Sequence, residues 1–275
     1  MKIGATVSAA NGYTQAVKTA ISIGADTFQA FSRNPRGGAA AELDLDDIAE
    51  AKRLMEENGV GPILIHAPYT LNMATAKEAS LEFARDCFQD DMKRMLILPS
   101  EMYVFHPGSR TKLPYDDAIR QIAEVLKIGM IEDSPVWVLL ETMSGKGSEI
   151  GSRFEELRDI LDSVGDFYGK KRLGVCLDLC HMYCAGYDIV NDADGVFNKL
   201  DDIIGFDRVK AVHLNDTANP FASKRDRHAR IGEGFLGVDA VRRVMRHERL
   251  RGLPFFLETP HLDVKDFADE IKLVR

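Results

Sequence analysis

The chain contains no apolar run approaching the roughly 18 residues that cross a membrane, so no transmembrane helix is expected. The opening MKIGATVSAANG also lacks the apolar stretch and small-residue cleavage pattern of a signal peptide, and a soluble cytoplasmic protein is the expectation. Cysteine is scarce: Cys87, Cys176, Cys180 and Cys184 are the whole set. Cys87 stands alone, which argues against a disulfide framework. The other three are spaced by four, which could be metal-ligand spacing. Structural zinc sites draw on paired cysteine knuckles at two separate places, however, so packing is the simpler reading. Basic charge is not in excess, with 35 Lys and Arg against 43 Asp and Glu for a net charge of −8. That balance is unpromising for a nucleic-acid binder. Three divalent cations bound by some of those acids would bring the total to about −2, so charge alone discriminates nothing. Linkers, low-complexity tracts and repeats are missing too, and one domain over residues 1–275 is expected.

What is present is a regular alternation. Short apolar or β-branched runs fall at Ile3–Val7, Asp26–Phe31, Pro62–His66, Met102–His106, Val136–Glu141, Arg172–Asp178, Val209–Leu214 and Pro254–Glu258. They are nearly continuous in apolar character, as strands buried on both faces are. Helical period fills the intervals. It is clearest over Ala76–Leu98, where Leu81, Ala84, Phe88, Met92, Met95 and Leu96 recur at three- and four-residue spacing. Asp44, followed by Leu45-Asp46-Asp47, reads as a helix N-cap. Arg36–Ala41 (RGGAAA) reads as a flexible loop. Eight strand–helix units favour an α/β fold closed as a (β/α)₈ TIM barrel.

The residues at the ends of these strands carry the chemistry. His66, His106, Glu141, Asp178 and Glu258 close five of them, and His213 lies near the end of another. In a parallel barrel those ends open onto one face. His181, Asp226 and His228 follow in adjoining loops, and an extended Asp226–His228 segment would aim both side chains the same way. Each residue alone has an ordinary explanation: a core histidine, a helix cap, a solvated acid. Together they do not. Five of the seven histidines fall on the predicted face, leaving only His247 and His261 outside the pattern. Four carboxylates at one mouth repel one another unless cations intervene. Imidazole and carboxylate without thiolate suit zinc, manganese or iron. Nine such groups are too many for one ion and fit a cluster of three.

The segments MKIGATVSAANG, ILIHAPY, FHPGS, LLETMSGKGSEIG, GVCLDLCHMYCAGYD, VHLNDTANPFASKRDRHARIGEG and FLETP closely resemble the endonuclease IV family of abasic-site endonucleases. They span nearly the whole chain in family order. The resemblance implies a xylose-isomerase-like TIM barrel with three zinc ions. His66, His106 and Glu141 would hold the first; Glu141 would bridge to a second held by Asp178, His213 and Glu258; His181, Asp226 and His228 would hold the third. It implies hydrolysis on the 5′ side of abasic sites in double-stranded DNA, with trimming of blocked 3′ ends, by a monomer in which Glu141 and Glu258 are catalytic. Arg36 and Tyr69 match positions that the family inserts into the duplex. Lys224, Arg225, Arg227 and Arg230 flank the Asp226/His228 pair and are candidate phosphate contacts, with Arg33, Arg110 and Lys146 in other loops of that face. The chain departs from the family at Gly37, Gly38 and the following alanines, at Thr70 beside Tyr69, and at Thr6, where many members have histidine. A metal-dependent sugar isomerase or epimerase is the competing reading, since such enzymes share the barrel. It leaves His181, Asp226, His228 and the KRDRHAR loop without a role. A binder without catalysis would leave unpaired acids in the mouth.

Overall fold

A computed structural model describes residues 1–165 and 172–275. The strands are β1 (Lys2–Thr6), β2 (Thr27–Phe31), β3 (Leu64–His66), β4 (Met102–Phe105), β5 (Trp137–Glu141), β6 (Leu173–Asp178), β7 (Val209–Leu214), a small pair β8 (Asp216–Thr217) and β9 (His228–Ala229), and β10 (Pro254–Leu257). The helices are α1 (Tyr13–Ser22), α2 (Leu45–Asn58), α3 (Glu78–Met95), α4 (Tyr115–Gly129), α5 (Phe154–Val164), α6 (Leu179–Ala185), α7 (Ala193–Ile203), α8 (Val238–Met245) and α9 (Phe267–Val274). Around the closed barrel the strands run β1-β10-β7-β6-β5-β4-β3-β2, every neighbouring pair parallel. The short β8–β9 pair is antiparallel.

The eight expected strands are the eight barrel strands, with ends adjusted by a residue or two. β3 begins at Leu64: Pro62 has no N–H for the ladder, and the Ile63 carbonyl accepts from the Ser100 hydroxyl at 2.6 Å. β4 and β10 stop one residue before His106 and Glu258, which therefore stand just past the paired backbone. The long helix is shorter than its periodicity, Glu78–Met95 in place of Ala76–Leu98, since Lys77 and Leu96 take the flanking capping positions. Asp44 caps α2 as expected, accepting from the backbone N–H of Asp46 and Asp47.

Alternation along each strand separates two cores. Ile65, Tyr103, Phe105, Val138, Leu140, Val175, Leu177, Val212, Phe255 and Leu257 face outward against the helices. Leu64, Met102, Val104, Leu139, Cys176, Ala211 and Phe256 fill the barrel interior, with Trp137 partly buried against them. Side chains two residues apart share a face. Stepping two residues from Leu64, Val104, Leu139, Cys176, Ala211 and Phe256 gives His66, His106, Glu141, Asp178, His213 and Glu258. An apolar plug thus lies beneath a layer of imidazoles and carboxylates at the carboxyl ends of the strands. Among the described residues no helix is long and apolar enough to cross a membrane.

Candidate metal centre

Glu141 sits at the middle of that layer, fully buried. Its two oxygens face different partners. Oε2 lies 3.3 Å from His66 Nε2 and 3.2 Å from His106 Nε2. Oε1 lies 3.0 Å from His213 Nδ1 and 3.3 Å from His181 Nδ1. Donor atoms of His66, His106 and Glu141 fall within 4.8 Å of one another, as do those of Glu141, Asp178, His213 and Glu258. His181 Nε2 is 3.2 Å from Asp226 Oδ1, and His228 Nε2 is 3.6 Å from the same oxygen. Asp178 Oδ2 is 3.5 Å from His228 Nε2, which brings this third set against the second. All nine residues singled out in the sequence meet at one mouth. The thiol of Cys180 also comes within 4.8 Å of donors on Asp226 and His228. Cys176 is barrel filling.

The ring orientations are fixed from behind. His66 Nδ1 donates to Ala67 O (2.6 Å), His181 Nδ1 to Thr142 O (2.9 Å) and His228 Nδ1 to Glu258 O (2.7 Å). A carbonyl only accepts, so each Nδ1 carries a hydrogen, and Nε2 is the nitrogen that would offer its lone pair to a cation in the cluster. His213 is turned the other way, its Nε2 donating to Gln29 Oε1 at 2.8 Å. Asn215 donates to Asp178 Oδ2 at 2.7 Å and accepts from Cys180 N at 2.8 Å. Composition gave no sign of Gln29, Asn215 or Thr142, because neutral amides and hydroxyls have no ligand signature of their own. An amide at an inward position of β2 was the available clue for Gln29, whereas Thr142 and Asn215 lie just past the ends of β5 and β7.

The electrostatics show what this packing demands. Burial pushes the Glu141 carboxyl up, yet His213, His106 and His181 together hold it well below the ordinary carboxylate range. Burial opposes charge on His181 as well, but Asp178, Asp226 and Glu141 raise its value well above that of a free imidazole. His66 Nε2, Glu141 Oε2 and His181 Nε2 are buried without a hydrogen-bond partner. Unsatisfied polar atoms of that kind are rare and destabilising. Three of them aimed into one cluster of hard oxygen and imidazole donors fit divalent cations such as zinc, manganese or iron.

The loops that carry Arg36, Tyr69 and the Lys224–Arg230 cations stand around this centre. Tyr69 is exposed over it, its ring 5.6 Å from that of His66, 5.8 Å from His106 and 5.1 Å from Phe31. Thr70 Oγ1 donates to Gly37 O (3.0 Å), tying the β2 and β3 loops together. The glycine at 38 has a local reason: a Cβ there would fall 2.4 Å from the Phe83 ring on α3. Arg36, Lys224, Arg225 and Arg227 are exposed. Arg230 is partly tied down, by Pro260 O at 3.3 Å and Asp266 at 3.8 Å. Arg33 must be corrected. It is not a free loop cation, because its guanidinium is enclosed and paired with Asp90 (2.7 Å) and the fully buried Asp91 (2.5 Å) on α3. The loop from β9 to α8 is shaped by Asp216, whose buried carboxylate accepts from the backbone N–H of Thr217, Gly232, Gly234, Leu236 and Gly237. A Cβ at Gly234 would lie 2.4 Å from that carboxylate and 2.3 Å from Thr217 O, so only glycine fits.

A closed parallel barrel with histidines and carboxylates at its carboxyl rim defines a class, and the family model described as a Xylose isomerase-like TIM barrel matches residues 17–275. Within that class the likeness narrows. The chain is 50% identical over 275 residues to the probable endonuclease 4 of Alkaliphilus oremlandii, covering all of this chain and 96% of the relative. The endonuclease IV of Thermus thermophilus superposes with a TM-score of 0.87 at 32% identity, covering all of this chain and 98% of the other. The chain belongs to the endonuclease IV family. D-psicose 3-epimerase of Clostridium cellulolyticum, at 15% identity and a TM-score of 0.64 over all of this chain and 90% of that one, shares the fold alone.

Proposed function

We propose that this protein is a cytoplasmic, monomeric, single-domain metal-dependent endonuclease that hydrolyses the phosphodiester 5′ to abasic sites in duplex DNA and trims blocked 3′ ends. The observation that carries the reading is the convergence of nine imidazole and carboxylate groups at one rim, three of them with buried unpartnered atoms. His66, His106 and Glu141 would hold one ion, Glu141, Asp178, His213 and Glu258 a second, and His181, Asp226 and His228 a third; zinc suits all three sets, with manganese or iron possible at one or more. Bound there, divalent ions supply an activated water and neutralise charge on the phosphate and its leaving oxygen.

The chain's own groups do the rest. Glu141, with one oxygen toward each of two imidazole sets, is placed to couple the first and second sets. Glu258 stands beside His213 at the end of the neighbouring strand, with its Oε2 3.5 Å from His213 Nδ1. The apolar plug beneath the layer keeps bulk water from reaching the carboxylates from below, which strengthens every charge interaction above it. Lys224, Arg225, Arg227 and Arg230 would meet phosphates. Tyr69 and Arg36 would enter the duplex, where a missing base lowers the roughly few kcal/mol of unstacking. The test is a duplex carrying a single tetrahydrofuran abasic analogue. Incision immediately 5′ of the analogue, abolished by a chelator and restored by zinc or manganese, is expected. An uncut duplex at full metal loading would overturn the assignment.

A further inference from the structure

Gln29 on β2 is wholly enclosed and touches two of the candidate ligands at once. Its Oε1 accepts from His213 Nε2 at 2.8 Å. Its Nε2 donates to Glu258 Oε1 and, at 3.2 Å, to the hydroxyl of Thr6. Thr6 Oγ1 in turn donates to Leu257 O at 3.3 Å, next to Glu258 in the chain. The reverse amide orientation would press a carbonyl oxygen against the Glu258 carboxylate, so the network admits one assignment.

We propose that Gln29 is a positioning residue, anchored by Thr6, that fixes which nitrogen of His213 offers its lone pair and locks Glu258 beside it. The inference rests on the metal-binding reading above. With Oε1 accepting, Nε2 of His213 keeps its hydrogen, and Nδ1, within hydrogen-bond reach of Glu141 Oε1 (3.0 Å) and facing Glu258 Oε2 (3.5 Å) and Asp178 Oδ2 (3.8 Å), is the nitrogen whose lone pair a cation in that space would take. The other tautomer would point an N–H into the space those carboxylates share. His66, His181 and His228 obtain the same control from backbone carbonyls, which no substitution of a side chain can remove. His213 obtains it from a side chain. A neutral amide serves where an outer carboxylate would add one more negative charge beside Glu141, Asp178 and Glu258. Thr6 then supports the bridge from the β1 side, because its hydroxyl takes up an amide hydrogen of Gln29.

The experiment uses the full chain loaded with zinc, and separately with cobalt(II). Gln29→Met keeps length but cannot donate and offers only a weakly accepting sulfur, and Thr6→Val removes only the hydroxyl. Retained metal is counted after dialysis, its loss to excess chelator is timed, and the visible cobalt spectrum is recorded. In Gln29→Met one equivalent is expected to leave about 10- to 100-fold faster, the usual effect of losing a ligand's outer partner, while the others keep wild-type rates and the cobalt bands shift. Thr6→Val should shift the same equivalent in the same direction by less. Wild-type rates and an unchanged spectrum in Gln29→Met would overturn the proposal. So would uniform loss of every equivalent in step with a lowered melting temperature, which marks a merely structural role. If Gln29→Met fails to fold, Thr6→Val decides, and unaltered retention there counts against the proposal. A wild-type protein that retains no ion overturns the metal reading and this inference together; retained ions with an indifferent Gln29→Met overturn this inference alone.

Discussion

Glu141 is the residue on which the centre turns, because one buried carboxylate faces four imidazoles through two oxygens. Replacing it by glutamine keeps the shape, removes the charge and puts an NH₂ where one oxygen stood. Glu141→Gln is expected to lower kcat/KM for incision by more than about 100-fold, or about 2.7 kcal/mol of barrier at 1.36 kcal/mol per decade, with an unchanged circular dichroism spectrum. Steady-state incision of the abasic duplex checks it, and turnover near wild type would remove Glu141 from the reaction. Cys87 illustrates a residue whose chemistry is suppressed. Burial and the neighbouring Asp91 push its thiol up to about 12. A folded-state value above that of the free thiol contributes stability that is fully present below about pH 8.5 and is lost as pH rises through about 12. The urea midpoint is therefore expected to fall on the alkaline side from about pH 9, and Cys87→Ser to flatten that fall. Native protein at pH 8 should leave a thiol reagent unconsumed by Cys87.

At the scale of elements, the barrel strands place six of the candidate ligands, and α6 with the segment from β8 to β9 brings His181, Asp226 and His228. The segment from β8 to β9 is held to α6 by Lys224 N–H to Cys184 O (2.9 Å) and Ala222 N–H to Tyr183 O (3.1 Å). Its exposed cations are thus presented on a fixed backbone beside Asp226 and His228. Lys224→Ala with Arg225→Ala is expected to weaken duplex binding and to reduce the slope of log K against log salt by about 1.8, near 0.9 for each phosphate no longer neutralised. An unchanged slope would separate this loop from the DNA. The loop after β2 shows the opposite economy. Arg33 looks like another phosphate-binding cation in sequence, but it serves as a clamp. Asp91 takes its guanidinium and also accepts from the hydroxyls of Ser32 and Tyr103. That clamp, with Gly38 against Phe83, lays the loop on α3 and leaves Arg36 outward.

At the scale of the molecule, the acids that make the chain anionic are partly gathered at one mouth. Metal removal is therefore expected to destabilise the whole barrel, since strands β3 to β7 and β10 all end in that layer. A single site filled at 1,000-fold above its dissociation constant stabilises the fold by about 4.1 kcal/mol. At about 2–4 °C per kcal/mol for a chain approaching this size, stripping the protein should lower the melting temperature by roughly 10 °C or more. Differential scanning calorimetry with and without chelator measures the difference, and coincident traces would show that the cluster is stable without cations.

The strand–helix alternation and the positions of His66, His106, Glu141, Asp178, His213 and Glu258 were legible in the sequence alone. Apolar strands buried on both faces and a parity of two are local properties, carried by consecutive residues. The pairing of Asp226 with His228 was legible for the same reason. What only the tertiary structure decided depends on residues far apart in the chain: Arg33 turned inward by Asp91, Gln29 joining His213 to Glu258, Asn215 steadying Asp178, and five backbone donors closing on Asp216. A neutral amide or an ordinary arginine has no pattern of its own. Its role is set by which groups the closed sheet brings within hydrogen-bond reach.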